Sequence, residues 1–203
     1  MTDDGQPFEH IERTLKRAVS ALREAGVPFV LAGSLASWAR GGPPTRHDLD
    51  LIVKPSDAER ALDALVAIGM RAERPVEEWL LKAWDGEVLV DVIFSPRGLE
   101  VSDELLERSD ELHILGTTIP VLALEDLLTS KLMALDEHRL DLAPLLQIAR
   151  AVREQIDWDA LRRRTRGSPF ADAFFALCEG LGVAPREHAA GAEVRLLTPE
   201  GGP

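Results

Sequence analysis

The sequence predicts an α/β (α+β) fold, a mixed sheet with helices packed on it followed by a C-terminal helical extension. Three observations carry that expectation. Up to Gly69, helical and strand-length patterns alternate as α, β, α, β, α. Two apolar runs then flank Asp85-Gly86, a strong hairpin signal that adds antiparallel strands. Past Val121 the pattern turns wholly helical. With 203 residues and 45% hydrophobic content, the chain is long enough for one sizeable core, or for a small α/β domain with helices packed against it.

Taken in order, Phe8, Ile11, Leu15, Ala18, Val19 and Leu22 recur at helical spacing and stop before Gly26, which predicts an amphipathic helix over about 7–25. Residues 27–32 are an apolar run of strand length. Gly33-Ser34 closes it and opens a short helix through Leu35, Trp38 and Ala39, which Gly41-Gly42-Pro43-Pro44 breaks. Residues 48–53 read as a strand. Ser56 and Glu59 have the spacing of a capping box for the helix that ends near Gly69. Residues 79–84 and 88–94 are the hairpin strands around Asp85-Gly86, and a second hairpin around Gly116 joins 112–114 to 118–121. Helices are then expected over 124–135 and 140–152, after a cap at Asp157, and over 169–181. The expected division is an α/β core over 1–121, a helical region over 122–182, and a flexible tail over 183–203 rich in Ala, Gly, Pro and Glu.

A net charge of −12 disfavours a protein that coats nucleic acid through phosphate contacts, although Arg162-Arg163-Arg164 with Arg166 is a candidate local basic groove. The single cysteine, Cys178, forms no internal disulfide and suits a reducing compartment; on an apolar helix it is expected to be buried and inert. The first residues lack the basic and apolar pattern of a secretory signal, and no stretch approaches the roughly 18 uninterrupted apolar residues of a membrane span. A cytoplasmic protein without a membrane partner is the expectation.

The chemistry is concentrated in three aspartates. Side chains two apart on a strand share a face, so Asp48 and Asp50 project together while Leu49 and Leu51 turn away. Asp91, in Val90-Asp91-Val92-Ile93, interrupts a segment that would otherwise be a core strand. Were these strands neighbours, each pair of like charges about 4 Å apart would cost roughly 4 kcal/mol at an effective dielectric near 20. A hard cation that takes carboxylate oxygens offsets that cost, and magnesium is the economical choice, with manganese as a substitute. Two ions would clamp the attacking and leaving oxygens of a phosphoryl displacement. Gly33-Ser34, at a strand-to-helix turn, offers backbone N–H groups and a hydroxyl to a triphosphate. Arg46, two residues before Asp48, and Lys131, on the helix after the sheet, are placed to neutralise a leaving pyrophosphate.

Ala32-Gly33-Ser34, thirteen intervening residues and Asp48-Leu49-Asp50-Leu51, with a later acid in Val90-Asp91-Val92, resemble the signature of the polymerase-β-like nucleotidyltransferase superfamily. The downstream Leu124-Glu125-Asp126-Leu127, Lys131-Leu132, Arg139 and Asp141 are similar to minimal nucleotidyltransferases of the AbiEii-like toxin type, except that Leu140 separates an Arg and an Asp expected to be adjacent. The resemblance covers roughly 27–152. It implies transfer of a nucleoside monophosphate from a nucleoside triphosphate such as ATP to an acceptor, with pyrophosphate released. Asp48 and Asp50 would bind both metals, and Asp91 the catalytic one while accepting a proton. Gly33, Ser34 and Lys131 would hold the triphosphate. The acceptor it implies is a small molecule, a tRNA or other RNA end, or a protein, and the toxin type would bring a cognate antitoxin as partner.

Other residues have plainer readings. His47 is expected to be solvated, the Asp136-Glu137-His138 and Asp141 run to be turns and caps, and the four tryptophans to be core. Two further functions compete with transfer: a noncatalytic nucleotide-binding module that keeps the pocket, and a metal phosphohydrolase, which the scattered histidines disfavour.

Overall fold

The computed structural model describes residues 6–44 and 48–186. Strand-length apolar runs find partners as β1 (Phe29–Leu31), β2 (Asp48–Val53), β3 (Arg71–Glu73), β4 (Leu80–Asp85), β5 (Val88–Ile93), β6 (Asp110–Ile114) and β7 (Thr117–Val121). They form one sheet in the order β3-β4-β5-β2-β1-β7-β6. The sheet is mixed as expected: β2 runs parallel to β5 and β1 to β7, and the other neighbours are antiparallel. β1 sits between two partners with all three residues buried, which is why it reads as a continuous apolar run.

Among the described residues, eight helices accompany the sheet: α1 (Gln6–Glu24), α2 (Gly33–Ala39), α3 (Ala58–Ala67), α4 (Asp103–Glu107), α5 (Leu124–Met133), α6 (Ala143–Val152), α7 (Trp158–Arg164) and α8 (Pro169–Gly180). The apolar stripe of α1, with Ile11, Leu15, Val19 and Leu22 buried, packs on α3, β2 and β5. On the same side Thr14 and Arg17 of α1 bond the carboxylate of Asp85. Residues of the strands that share the parity of Asp85, such as Leu49, Leu51, Val90, Val92 and Ala83, are therefore sealed under α1 and α3. The opposite face is the one that carries Asp48, Asp50 and Asp91.

The C-terminal helices join the sheet through α5, which packs on α2, α6, α7 and α8. Arg40, at the end of α2, fixes that junction by donating to the carbonyls of Val121 and Leu122 and pairing with Asp110. Three helices begin as capping chemistry requires: Ser102 accepts from the N–H of Leu105, Asp157 from that of Ala160, and Ser168 from that of Ala171. Val183 and Ala184 are buried beyond α8, and residues 187–203 lie outside those described.

Several details differ from the sequence reading. The Ser56–Glu59 capping box does not form: residues Pro55–Asp57 make a 3-10 turn, Asp57 pairs with Arg60, and Glu59 pairs with Arg74. Asp85 is the last paired residue of β4, opposite Val88, so the two-residue turn is Gly86-Glu87, with Gly86 in the left-handed region at φ 64°. The helix expected from Leu140 starts at Ala143, because the Asp141 carboxylate accepts from the N–H of Ala143 and Pro144 follows in the first turn. Trp79 is 40% exposed, unlike the core residue expected, whereas Trp158 is buried. β3 and α4 are additions that no periodicity announces.

Candidate active site

The parallel pairing of β2 and β5 sets Asp50 directly opposite Asp91, and Asp48 opposite Leu89. The expectation that Asp91 neighbours the Asp48/Asp50 pair is met by register. The hairpin then extends the row: Lys82 of β4 lies opposite Asp91, and Glu73 of β3 opposite Lys82. Four adjacent strands thus present Glu73, Lys82, Asp91 and Asp50 in one line across the open face. A second line, one pleat along, reads Arg71, Trp84, Leu89 and Asp48. The indole N–H of Trp84 donates to Glu73 Oε2 at 2.8 Å, and the Arg71 guanidinium lies 5.5 Å from the centre of the Trp84 ring.

Gly33 is fixed by this geometry. It has φ 65°, and a Cβ there would overlap the carboxylate of Asp50 and lie 2.8 Å from its Cβ. The glycine of the Gly33-Ser34 turn therefore lets Asp50 pack against the backbone, while the backbone N–H of Ser34 bonds the Asp50 carboxylate. The β2 backbone closes the same turn, with Ala32 N–H donating to Asp50 O at 2.8 Å.

Burial is the main force on the charges. It raises the Asp50 carboxyl above the ordinary carboxylate range, helped by Asp48 and opposed by Lys131 and the Ser34 N–H. Asp91 is pushed up to about 6, first by burial and then by Asp50, while Lys82 pulls the other way. Its Oδ1 is buried and has no hydrogen-bond partner. Lys131, on α5, is lowered by burial and drawn back up by Asp50. The carboxylates are flanked by one ammonium on each side, Lys131 by Asp50 and Lys82 by Asp91.

Oxygen donors alone, two of them in register and one orphaned, suit a hard divalent cation. Among the described residues, no group of three or more His, Cys, Asp or Glu side chains is gathered closely enough to hold a metal as it stands. A bound ion would therefore have to draw the aspartates together. Arg46 and His47 lie outside the described residues.

The structure also assigns plainer work to other candidates. Asp126, of the Leu124-Glu125-Asp126-Leu127 stretch, is buried and forks to Arg108 and Arg164 at 2.5 and 2.6 Å. Arg162 pairs with Glu179 at 2.5 Å and lies 4.3 Å over the Phe175 ring, and the cleft it lines with Arg163 and Arg166 also contains Asp159 and Asp172. Two of the grouped arginines are thus committed to internal pairs, and the cleft is of mixed charge. Asp136 accepts from the N–H of His138, as expected for a turn. Cys178 is buried, and its thiol is pushed up to about 11 by that burial.

Lys82 and Glu73 were not singled out by sequence reasoning. Counting outward from the turn Gly86-Glu87 pairs Lys82 with Asp91, whereas counting from Asp85-Gly86, the turn read from the sequence, pairs Leu80 with Asp91 and misses Lys82 by two residues. No helix among the described residues is long and apolar enough to cross a membrane.

A family model described as an uncharacterised nucleotidyltransferase matches residues 9–179. Comparison with curated protein sequences gives no match. Among solved structures, the chain is similar to ANT(2'')-Ia in complex with adenylyl-2''-tobramycin, with TM-score 0.59 and 15% identity over 82% of this chain and 97% of that one. It is also similar to the solution structure of the antibiotic-resistance factor ANT(2'')-Ia, with TM-score 0.58 and 15% identity over 84% and 96%. The lincosamide antibiotic adenylyltransferase LnuA with bound lincomycin aligns at TM-score 0.48 and 14% identity, over 75% and 97%. The ANT(2'')-Ia likeness speaks to the fold. These comparisons carry no support for a toxin type or an antitoxin.

Proposed function

Because the chain belongs to the family described as uncharacterised nucleotidyltransferases, we propose that it moves a nucleoside monophosphate from a nucleoside triphosphate to a hydroxyl of a small-molecule acceptor, using magnesium held by Asp48, Asp50 and Asp91. The observation that supports this most is the in-register pair Asp50 and Asp91 with Asp48 on the same face, one of whose oxygens, Asp91 Oδ1, is buried without a partner. Magnesium, when bound there, supplies positive charge to the phosphoryl oxygens and orients the attacking and leaving groups.

The residues divide the remaining work. Lys131 Nζ and the Ser34 turn bind the β- and γ-phosphates beside Asp50, and Arg46 is the further cation proposed to neutralise the leaving pyrophosphate. Gly33 keeps the backbone close enough for this. Asp91 takes the acceptor's proton at Oδ1. The acceptor oxygen bonds to the α-phosphorus as the α–β phosphoanhydride bond breaks, and pyrophosphate leaves with the bonding pair. ANT(2'')-Ia, the fold relative with a small-molecule adenylyl product in its complex, makes ATP the first donor to test.

The test is transfer of label from each of the four α-phosphate-labelled nucleoside triphosphates into host extract with magnesium, by wild type and Asp48→Asn/Asp50→Asn. Label in a product that resists nuclease and protease, formed by wild type alone, is the expected result. Nuclease- or protease-sensitive product would replace the small molecule with RNA or protein. Binding of nucleotide without transfer would favour a noncatalytic module, and release of phosphate in place of pyrophosphate a hydrolase.

A further inference from the structure

In-line displacement places the attacking and leaving oxygens on opposite sides of phosphorus. Lys131 and Ser34, both beside Asp50, mark the leaving side in the function proposed above. The acceptor must then approach from the other side of the row, past Asp91 and over β4 and β3. That end of the sheet is partly open: Arg71 is exposed, and Glu73, Lys82, Trp84 and Leu89 are half-buried. Its floor is Leu89 and Trp84, with Arg71 stacked over the indole. Glu73 is engaged by the Trp84 N–H. Lys82 stands beside this floor, half-buried and in register between Glu73 and Asp91; it acts on Asp91 electrostatically, but among the described residues no hydrogen bond or ion-pair contact holds its ammonium. An ammonium offers three donors and no acceptor, so its complement is an anion.

We infer that the β4–β3 end of the open face is the acceptor subsite, and that Lys82 selects a small hydroxyl compound carrying a phosphate or carboxylate. The inference rests on nucleotidyl transfer as proposed above. A lysine whose only task was to offset Asp91 would leave binding of such a compound unchanged when removed.

The chain has four lysines, Lys16, Lys54, Lys82 and Lys131, so lysine carrying 13C at Cε gives a spectrum that single Lys→Met variants assign. The protein is first saturated with magnesium and the α,β-methylene analogues of ATP, GTP, CTP and UTP, one at a time. At least one should move the Lys131 signal. Glycerol 3-phosphate, D-glycerate and glycerol are then added to that complex. Either anion should move Lys82, at least tenfold more tightly than glycerol, and the preference should vanish in Lys82→Met and return in Lys82→Arg. A response to one anion and not the other identifies which group the subsite takes. The inference is overturned if neither anion moves Lys82, or if Lys82→Met keeps the preference for anions over glycerol. If no analogue moves Lys131, nucleotide transfer itself fails, a result separate from either of these.

Discussion

The two flanks of the carboxylate row are built on different principles. Beside Asp50, the contacts come from a turn and a distant helix: Gly33 and Ser34 from the start of α2, Lys131 from α5. Gly33, Ser34 and Lys131 are half-buried, and the turn is sterically fixed, since the Asp50 carboxylate occupies the space a Gly33 side chain would need. Beside Asp91, Lys82 and Glu73 are set by strand register alone and run out to an exposed edge. In the function proposed above, the fixed flank takes the triphosphate, which every donor shares, and the open flank takes the acceptor.

The sharpest way to break the comparison is at its centre. Asp50→Asn keeps the shape of the row and removes its most enclosed charge, so transfer should fall by about 10³-fold or more, on the scale of losing a key electrostatic group; the check is a labelled-nucleotide assay with circular dichroism showing an intact fold. Gly33→Ala should lower activity by about 10²-fold and also lower the melting temperature, because it adds an overlap with Asp50 to the roughly 1–2 kcal/mol of left-handed backbone strain. Gly86 lies within a degree of Gly33, at φ 64°, but has no atom within 4 Å of an added Cβ, so Gly86→Ala should melt earlier while keeping full activity. Equal activity in the two alanine variants would break the account of the fixed flank. Lys131→Met should weaken nucleotide binding by about 10- to 100-fold, the worth of a charged hydrogen bond, while Lys82→Met leaves nucleotide affinity within about twofold, because it stands on the other flank.

The smallest effect is one of stability. Asp91 is raised from 3.8 to about 6, so its contribution in chelator is fully present below about pH 4 and is lost as pH rises through about 6. Because Asp91 is only partly enclosed and solvent screens it, the cost of ionising it by pH 8 is about 1–2 kcal/mol. Asp91→Asn should therefore melt about 2–6 °C above wild type at pH 8 without divalent metal, with the gap closing near pH 4. Thermal melts of both proteins across that range check it, and a gap independent of pH would contradict the assignment of burial as the cause.

Much of the fixed flank was legible in the sequence, because its signals are local. Asp48 and Asp50 alternate with Leu49 and Leu51, Asp91 breaks an apolar run, and Gly33-Ser34 follows a strand. Burial of Leu49 and Leu51 follows from that alternation. The open flank was not read, because its meaning is not local. Lys82 matters only through pairing with Asp91 across the hairpin. Glu73 matters through β3, a three-residue edge strand of Arg, Ala and Glu with no apolar period. The pairing of β2 with β5, which makes neighbours of Asp50 and Asp91, skips over α3, β3 and β4 and is set by the whole sheet. Asp157 caps its helix through its side chain, whereas Ser56 does not, since Pro55 opens a 3-10 turn there instead.

The most direct measurement of the two-flank account is a crystal structure with manganese and the α,β-methylene analogue of whichever nucleotide binds, with the metal located by its anomalous scattering. The account predicts manganese between Asp50 and Asp91, the β- and γ-phosphates against Ser34 and Lys131, and a clear approach over Lys82 and Trp84. Manganese away from these aspartates, or a triphosphate lying along Lys82 toward β3, would contradict it.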